Sequence, residues 1–328
     1  MKNNNNNHEG LLHARLLNGS GGAKKLTWSE INGHHPEGTI LWLHFDYTHP
    51  RVREWITKKS NLNKLVAKAL LTEENRPRAT VFQDGLLLAL RGVNHNPGSN
   101  PEDMVAIRMW IDPSRIISTR RRDLLSVDDL VAELDKGTGP STSGEFLVDM
   151  ADSLTVRMAQ VVEEIDETAD QLEEQVMDAK SHDLRVALAA LRRQTITLRR
   201  YLSPQREAMA HLQVEKVSWI TDSDRIRLRE VSDRLIRHIE DLDAARERAA
   251  VTHEELISRL SDQLNMRLYL LSLVAAIFLP LSFLTGLFGI NVGGIPGSEY
   301  PFAFAIFTGS LSIIAFSLII AFRKKKWI

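Results

Sequence analysis

Five residues of an uncharged C-terminal segment recur at spacings of four, four, three and four, which places them on one face of a helix. They are Leu271, Ala275, Leu279, Ser282 and Gly286. Their side chains are small, polar or apolar and carry no charge, so this face would suit the wall of an ion pathway. Rings of Leu271 and Leu279 could gate such a pathway by dewetting. Alternatively, the small residues only let this helix pack closely against others.

Ionisable residues near this segment offer a second kind of chemistry, the attraction or binding of cations. Glu299 is the only charged residue between positions 291 and 301. Several copies of it would concentrate cations there; otherwise it is an ordinary solvated acid. Upstream, acids and histidines on predicted helices either form a cation site or merely pack along the helix. These candidates are Asp233, His238, Asp241, His253 and Glu254.

Two uncharged runs near the C-terminus predict a membrane-embedded hairpin. No charged residue occurs from Leu268 to Phe288 or from Phe302 to Phe322. A helix of about 21 residues is roughly 32 Å long, enough to cross a hydrocarbon core of about 30 Å. Basic residues flank the outer ends of the hairpin, and the connecting loop has none. The positive-inside rule therefore predicts an inner (plasma) membrane protein with both termini in the cytoplasm. Two helices cannot enclose a pore alone, so conduction would require several copies.

The composition of the remaining chain excludes several classes of function. Cysteine is absent, which excludes a disulfide framework and thiolate metal sites. Lysine and arginine are not pooled into one patch, so nucleic acid is not an expected partner. The sequence has no Walker loop, dinucleotide fingerprint or nucleophile elbow, so we expect neither an enzyme nor a cofactor.

The patterns along the chain predict an α+β cytoplasmic domain, then long helices forming a coiled-coil-like stalk, then two transmembrane helices. The first 22 residues are rich in Asn and Gly and are predicted to be disordered. Asp84-Gly85 is predicted as the turn of a β-hairpin, Ser126 as the cap of a helix over 127–135, and 136–144 as a linker. The predicted boundaries are 1–22 for the tail, 23–142 for the α/β domain, 145–267 for the helical hairpin and stalk, 268–290 and 302–322 for the spans, 291–301 for the outer loop and 323–328 for the basic C-terminus.

Helical periodicity dominates after the linker. An acidic helix from 145 to about 179 and an arginine-rich helix from 183 to about 202 predict an antiparallel hairpin, whose charges either pair or remain solvated. From 222 to 288 only Pro280 and Gly286 interrupt the pattern, which predicts one helix on the order of 100 Å. A helix of that length with a heptad-like apolar stripe implies a bundle of copies.

The end of the first span carries a family signature, Gly289-Ile290-Asn291. Together with the long preceding helix and a second, lysine-terminated span, it resembles the CorA metal ion transporter family, whose mark at this place is Gly-Met-Asn. Ile290 stands where the family usually has Met. The following Ile295-Pro296-Gly297-Ser298 departs from the Met-Pro-Glu-Leu of magnesium-type members, and this departure is similar to the zinc-transporter branch, ZntB. The resemblance covers the chain from the α/β domain to its last residue.

The resemblance implies a homopentameric funnel in which the first span of each subunit lines the pore. Gly289, Ile290 and Asn291 would then form the extracellular mouth. A ring of Asn291 side chains would present neutral carbonyl dipoles, which can hold a divalent ion through its water shell. The implied partners are further copies of the chain, membrane lipid and divalent cations, with Zn²⁺ as the transported ion.

The spans also bear on selectivity, because neither contains His, Cys, Asp or Glu. A dehydrated zinc ion requires N or S ligands at about 2.0–2.3 Å. We therefore expect zinc to pass largely hydrated and with poor discrimination among divalent ions. A proton relay within the membrane lacks the residues it would use, so any proton coupling would involve Glu299, cytoplasmic residues or permeating water.

Two alternatives to zinc transport remain open on the sequence. One is a magnesium or broad divalent cation channel of the CorA type. The other is a membrane-anchored scaffold, in which the hairpin serves only as an anchor. The scaffold hypothesis predicts no pentamer and no constraint on Asn291.

Overall fold

The structure, a computed structural model, describes residues 9–33, 35–73, 76–178, 182–289, 297 and 299–325. It divides into two compact units, Met1–His253 and Glu254–Ile328.

The first unit contains a mixed sheet and three short helices in its described residues. The strands are β1 Leu11–Leu17, β2 Ala23–Lys25, β3 Ile40–Asp46, β4 Arg78–Phe82, β5 Gly85–Gly92, β6 Val105–Ile111 and β7 Arg115–Arg120. The short helices are α1 Pro50–Lys58, α2 Lys64–Leu70 and α3 Leu125–Lys136. The sheet order is β2-β1-β3-β7-β6-β5-β4, and β3 and β7 pair in parallel while the other neighbours are antiparallel. The α+β class predicted for this region is confirmed.

The centre of the sheet is buried on both faces. Residues 40–45 of β3 are all buried, and all but His44 are apolar, as expected for a strand covered from both sides. Leu43 and Phe45 pack into one core with Val52 of α1, Ile56 and Leu70. On the opposite face, the indole of Trp42 meets the ring of Phe146 with centroids 4.9 Å apart.

The β-hairpin lies where the sequence predicts it, with a one-residue shift in the turn. Phe82 pairs directly with Gly85, so the turn residues are Gln83 and Asp84. Gly85 is the first residue of β5, and a Cβ there would lie 2.1 Å from the indole of Trp110. The glycine is needed for this close approach and not for the turn itself.

The prediction of a disordered tail over 1–22 is wrong from β1 onward. This strand lies between β2 and β3, and its Leu11, Ala14 and Leu17 are buried. Arg15 is also buried, and its guanidinium forms an ion pair with Asp135 of α3. The His and Arg residues of β1 hide its strand pattern in the sequence. Residues 1–8 lie outside the described part of the chain.

The predictions for α3 and the following linker also need correction. The helix begins one residue before Ser126, and its N-cap is Leu124, which makes no side-chain capping bond. Ser126 is a buried helical residue. Gly137 ends α3 with φ of 80°, as is common for glycine after a helix. The linker is short and anchored, since the backbone N–H of Gly139 donates to the carbonyl of Gly21 over 2.9 Å.

Four long helices follow. They are α4 Ser143–Asp178, α5 His182–Val214, α6 Asp222–Gly289 and α7 Ala303–Lys324. Helix α6 confirms the single long helix, whereas α5 continues past its predicted end near 202, through Pro204. The apolar stripe of α6 is buried at Leu228, Val231, Leu235, Leu242 and Ala249.

The charges of the acidic helix find their partners mainly on α6. Helices α4 and α5 pack against each other, but the carboxylates of α4 form ion pairs with arginines of α6. These pairs are Asp149–Arg227, Asp152–Arg234, Asp166–Arg248 and Asp170–Arg248. The basic α5 also pairs with α6, through Arg199 and Asp243 over 3.1 Å. The sequence left open whether the charges of α4 and α5 pair with each other or remain solvated; in the described residues, both helices instead form ion pairs with α6.

Candidate functional site

Two helices in the described residues are long and apolar enough to cross a bilayer, α6 and α7. The most apolar 18-residue window of each has a mean hydropathy of 2.2, and no part of either window is buried within the chain. These windows therefore do not form the core of a soluble unit. So much exposed apolar surface needs lipid or other protein copies to cover it.

The five residues predicted to line a pathway all lie on α6 and share one exposed face. Leu271 is 66% exposed and Leu279 is 69% exposed, and the three smaller residues are exposed as well. None of the five is used to pack the chain against itself. This face is therefore available to an ion pathway or to a neighbouring copy.

The opposite face of α6 is the one that α7 covers. Its partly covered residues are Leu273, Ile277, Pro280, Leu281 and Leu284. At about 100° of rotation per residue, their mean direction lies roughly 180° from that of the predicted pathway residues. Leu284 lines a cavity of about 790 Å³ together with residues of α7, and the rings of Phe288 and Phe307 lie 5.2 Å apart.

Two exposed glycines lie near the end of α6: Gly286 on the proposed pathway face, and Gly289, which also lines the cavity beside α7. A Cβ added at Gly286 or Gly289 would meet no atom within 4 Å. Neither residue has a positive φ, so neither the packing nor the backbone of a single chain requires glycine here. Small residues at these positions leave space beside the helix, which suits a pathway or a close helix–helix contact.

The predicted mouth lies partly outside the described residues. Gly289 is the last residue of α6, whereas Ile290 and Asn291 lie outside the described part of the chain, as do 292–296 and 298. Their placement at a mouth remains a prediction. Glu299 is described and lies exposed in a turn before α7.

The candidate cation ligands of the first unit and the start of the second all lie on α6. Among the described residues, no three or more His, Asp or Glu side chains come close enough to hold a metal ion. Asp233, His238, Asp241, His253 and Glu254 are thus not gathered into a site within one chain. Burial lowers the pKa of His238, and Asp241 only partly opposes this effect. The imidazole is therefore favoured in its neutral form.

Sequence reasoning missed a second cavity, which lies in the first unit. Its volume is about 580 Å³, and its lining includes arginines from β5, β6, the segment after β7, and α5. Because each contributing element supplies only one or two of these residues, no local motif marks the cavity in the sequence.

Comparisons with known proteins agree with this architecture. The family model described as CorA-like Mg²⁺ transporter protein matches residues 37–324. The chain is 39% identical over 322 residues to the zinc transport protein ZntB of Pectobacterium carotovorum subsp. carotovorum, covering 98% of this chain and 97% of the relative. It is similar to the solved full-length CmaX protein, with 36% identity, a TM-score of 0.86, and coverage of 98% of this chain and 100% of CmaX.

A more distant solved structure shares the fold. The complete CorA magnesium transporter from Methanocaldococcus jannaschii has a TM-score of 0.82 at 16% identity, with coverage of 97% of this chain and 99% of that structure. The family match spans most of the chain. The family signature begins at Gly289, at the end of the first of the two apolar C-terminal helices. The chain therefore belongs to the CorA-like family of metal ion transporters.

Proposed function

We propose that this protein transports divalent cations, zinc foremost, across the inner membrane through a pore lined by α6 of five copies. One observation carries the proposal. The uncharged residues of α6 with pathway-like spacing are exposed on the face opposite the one that α7 covers. In a ring of copies, that face can turn to the axis while α7 lies outside. The zinc transport proteins named ZntB, which are similar over nearly the whole chain, favour zinc as the cargo.

The size of a five-helix ring supports this assembly. With neighbouring helix axes 8–10 Å apart, each axis of a five-membered ring lies about 7–8.5 Å from the centre. Subtracting about 5 Å for the radius of a helix with its side chains leaves an opening of about 2–3.5 Å in radius. Small residues such as Ala275, Ser282 and Gly286 widen it locally. Such an opening admits a divalent ion that retains water ligands.

The chemistry of the wall favours hydrated passage. Among the described residues of the two apolar segments, 268–289 and 303–322, none is His, Cys, Asp or Glu. The wall therefore offers no ligand that could replace the water shell of zinc. We propose that Asn291 holds the hydrated ion at the mouth through its carbonyl oxygen and that Glu299 raises the local cation concentration. The basic residues after α7 favour cytoplasmic termini.

A broad divalent cation channel is the second candidate, and the same wall favours it. A pore that recognises a water shell discriminates weakly between zinc and magnesium. The described apolar segments contain no Asp, Glu or His side chain for a proton relay. Proton coupling, if present, would therefore depend on Glu299, on the first unit or on water in the pore.

The proposal is tested by zinc uptake into proteoliposomes that contain the purified full-length protein or an Asn291→Ala variant. We expect zinc flux from the unmodified protein and a sharp loss in the variant at equal pentamer content. A parallel series with a pH gradient separates a channel from a proton-coupled carrier, and magnesium in place of zinc measures selectivity. Absence of any divalent flux from the well-folded protein would refute transport, and absence of a pentamer in the same preparation would favour the scaffold alternative.

A further inference from the structure

The cavity of about 580 Å³ in the first unit is lined by a concentration of guanidinium groups. Its arginines are Arg91, Arg108, Arg121, Arg122 and Arg200. The lining also includes three carboxylates, one of which, Glu73, forms an ion pair with Arg121. Arginine therefore outnumbers acid in the lining, and the cavity volume is in the range of small-molecule sites.

The arginines are held in place by the fold. The guanidinium of Arg91 donates to the carbonyl of Met104 over 2.8 Å and lies 4.1 Å above the centre of the Tyr201 ring. Its backbone N–H donates to the side chain of Gln205 over 2.8 Å, which fixes β5 beside α5. Arg108 is only 2% exposed, lies 4.9 Å from the centre of the Tyr47 ring and donates to the carbonyl of Glu73.

Two of these cations converge on one aromatic ring. Arg200 lies 4.9 Å from the centre of the Tyr201 ring, which also supports Arg91. The two guanidinium groups are therefore within about 9 Å of each other, where like charges repel. Arg122 is exposed beside them. An anion in the cavity that these groups line would relieve the repulsion between them.

We propose that this cavity binds a small phosphorylated anion. Planar guanidinium groups match the paired oxygens of phosphate and form short, charge-assisted hydrogen bonds with them. Tyr47 and Tyr201 carry the arginines on their ring faces and so act as positioning residues. The site belongs to the first unit and is independent of the transport pathway, so its test is a binding measurement and does not rely on ion flux.

The experiment is a calorimetric titration of the detergent-purified full-length protein with inorganic pyrophosphate, in metal-free buffer so that chelation does not contribute. The variants are Arg122→Gln and Arg200→Gln; both positions are exposed, so we expect both variants to fold. The matched control is Arg185→Gln, which removes an equal charge from an exposed position of α5. It lies about four helical turns from Arg200, outside the cavity lining.

We expect saturable binding with the unmodified protein and the control, and affinity weakened about tenfold in each cavity variant. A second titration with sn-glycerol 3-phosphate, the soluble headgroup of an anionic lipid, identifies the source of the phosphate. Tighter binding of pyrophosphate supports a soluble polyanion, and tighter binding of the headgroup supports a lipid. The proposal is overturned if neither ligand binds saturably, or if the Arg185 variant weakens binding as much as the cavity variants.

Discussion

The substitution Gly286→Leu provides a sharp test of which face of α6 lines the pore. In one chain a Cβ added at Gly286 meets no atom within 4 Å, and the position is exposed, so we expect the leucine to fit without a clash within the subunit. Leucine is also a better helix former than glycine by about 1 kcal/mol. Folding of the subunit should therefore be unaffected, and any loss of function must arise where copies meet.

The expected magnitude follows from the geometry of the ring. By ordinary bond lengths, the end of a leucine side chain reaches roughly 4 Å from its Cα. The opening proposed for a five-helix ring is about 2–3.5 Å in radius. Because a Cα lies about 2.3 Å from the helix axis, five leucines at this level would narrow the opening to about 0.7–2.2 Å in radius. This adds a third apolar constriction to those formed by Leu271 and Leu279. We expect zinc flux to fall about tenfold, equivalent to an added barrier of about 1.4 kcal/mol.

The assay is zinc uptake into proteoliposomes, with the amount of assembled pentamer measured in each preparation. The matched control is Gly309→Leu, the same change at an exposed glycine of α7 where an added Cβ also meets nothing within 4 Å. We expect the control to retain its flux. Undiminished flux in assembled Gly286→Leu, or an equal loss in Gly309→Leu, would refute the assignment of the pore face.

Three further predictions concern stability and ion attraction. In thermal or denaturant unfolding of the full-length protein, Leu235→Ala should lower the free energy of unfolding by about 2–5 kcal/mol because the leucine side chain is buried. Arg234→Ala breaks a half-exposed ion pair and should lower it by at most about 1 kcal/mol. A larger loss for Arg234→Ala than for Leu235→Ala would contradict this ranking. Burial, with smaller contributions from Arg120 and His13, lowers the pKa of His44. His44 therefore binds a proton more readily in the unfolded chain than in the folded one, and the free energy of unfolding should fall as the pH drops below about 6.5. If the imidazole is the cause, this fall should be less steep in His44→Gln. Glu299→Gln should reduce zinc uptake at low ionic strength and leave it unchanged at high ionic strength, and a loss that is independent of salt would assign Glu299 another role.

The parts of the fold that sequence could predict are those with strong local patterns. The hairpin of β4 and β5 has apolar runs around a tight turn, and α6 lacks helix breakers over most of its length. Strand β1 was missed because buried Arg15 depends on a distant partner, Asp135. Pro204 lies within α5 although proline usually ends a helix. Tertiary packing overrides the local signal in both cases.

The candidate site also has a part that the sequence could predict and a part that it could not. Spacing alone placed Leu271, Ala275, Leu279, Ser282 and Gly286 on one face of a helix, because all five lie on a single element. Which face α7 covers depends on how a second helix packs, and no spacing within α6 predicts that. The arginine cavity was beyond prediction because Arg91, Arg108 and Arg200 come from three separate elements. The role of Asn291 rests on the family signature.

The central claim, that α6 lines a conducting pore, is tested most directly by thiol accessibility, because the chain contains no native cysteine. Single variants Ser282→Cys on the proposed wall and Ser312→Cys on the exposed side of α7 are reconstituted, and zinc flux is measured before and after a small, charged thiol reagent is added. We predict rapid loss of flux in the Ser282 variant and little change in the Ser312 variant. Full flux after reagent has labelled Ser282→Cys, or failure of the reagent to reach it in a conducting protein, would contradict the account.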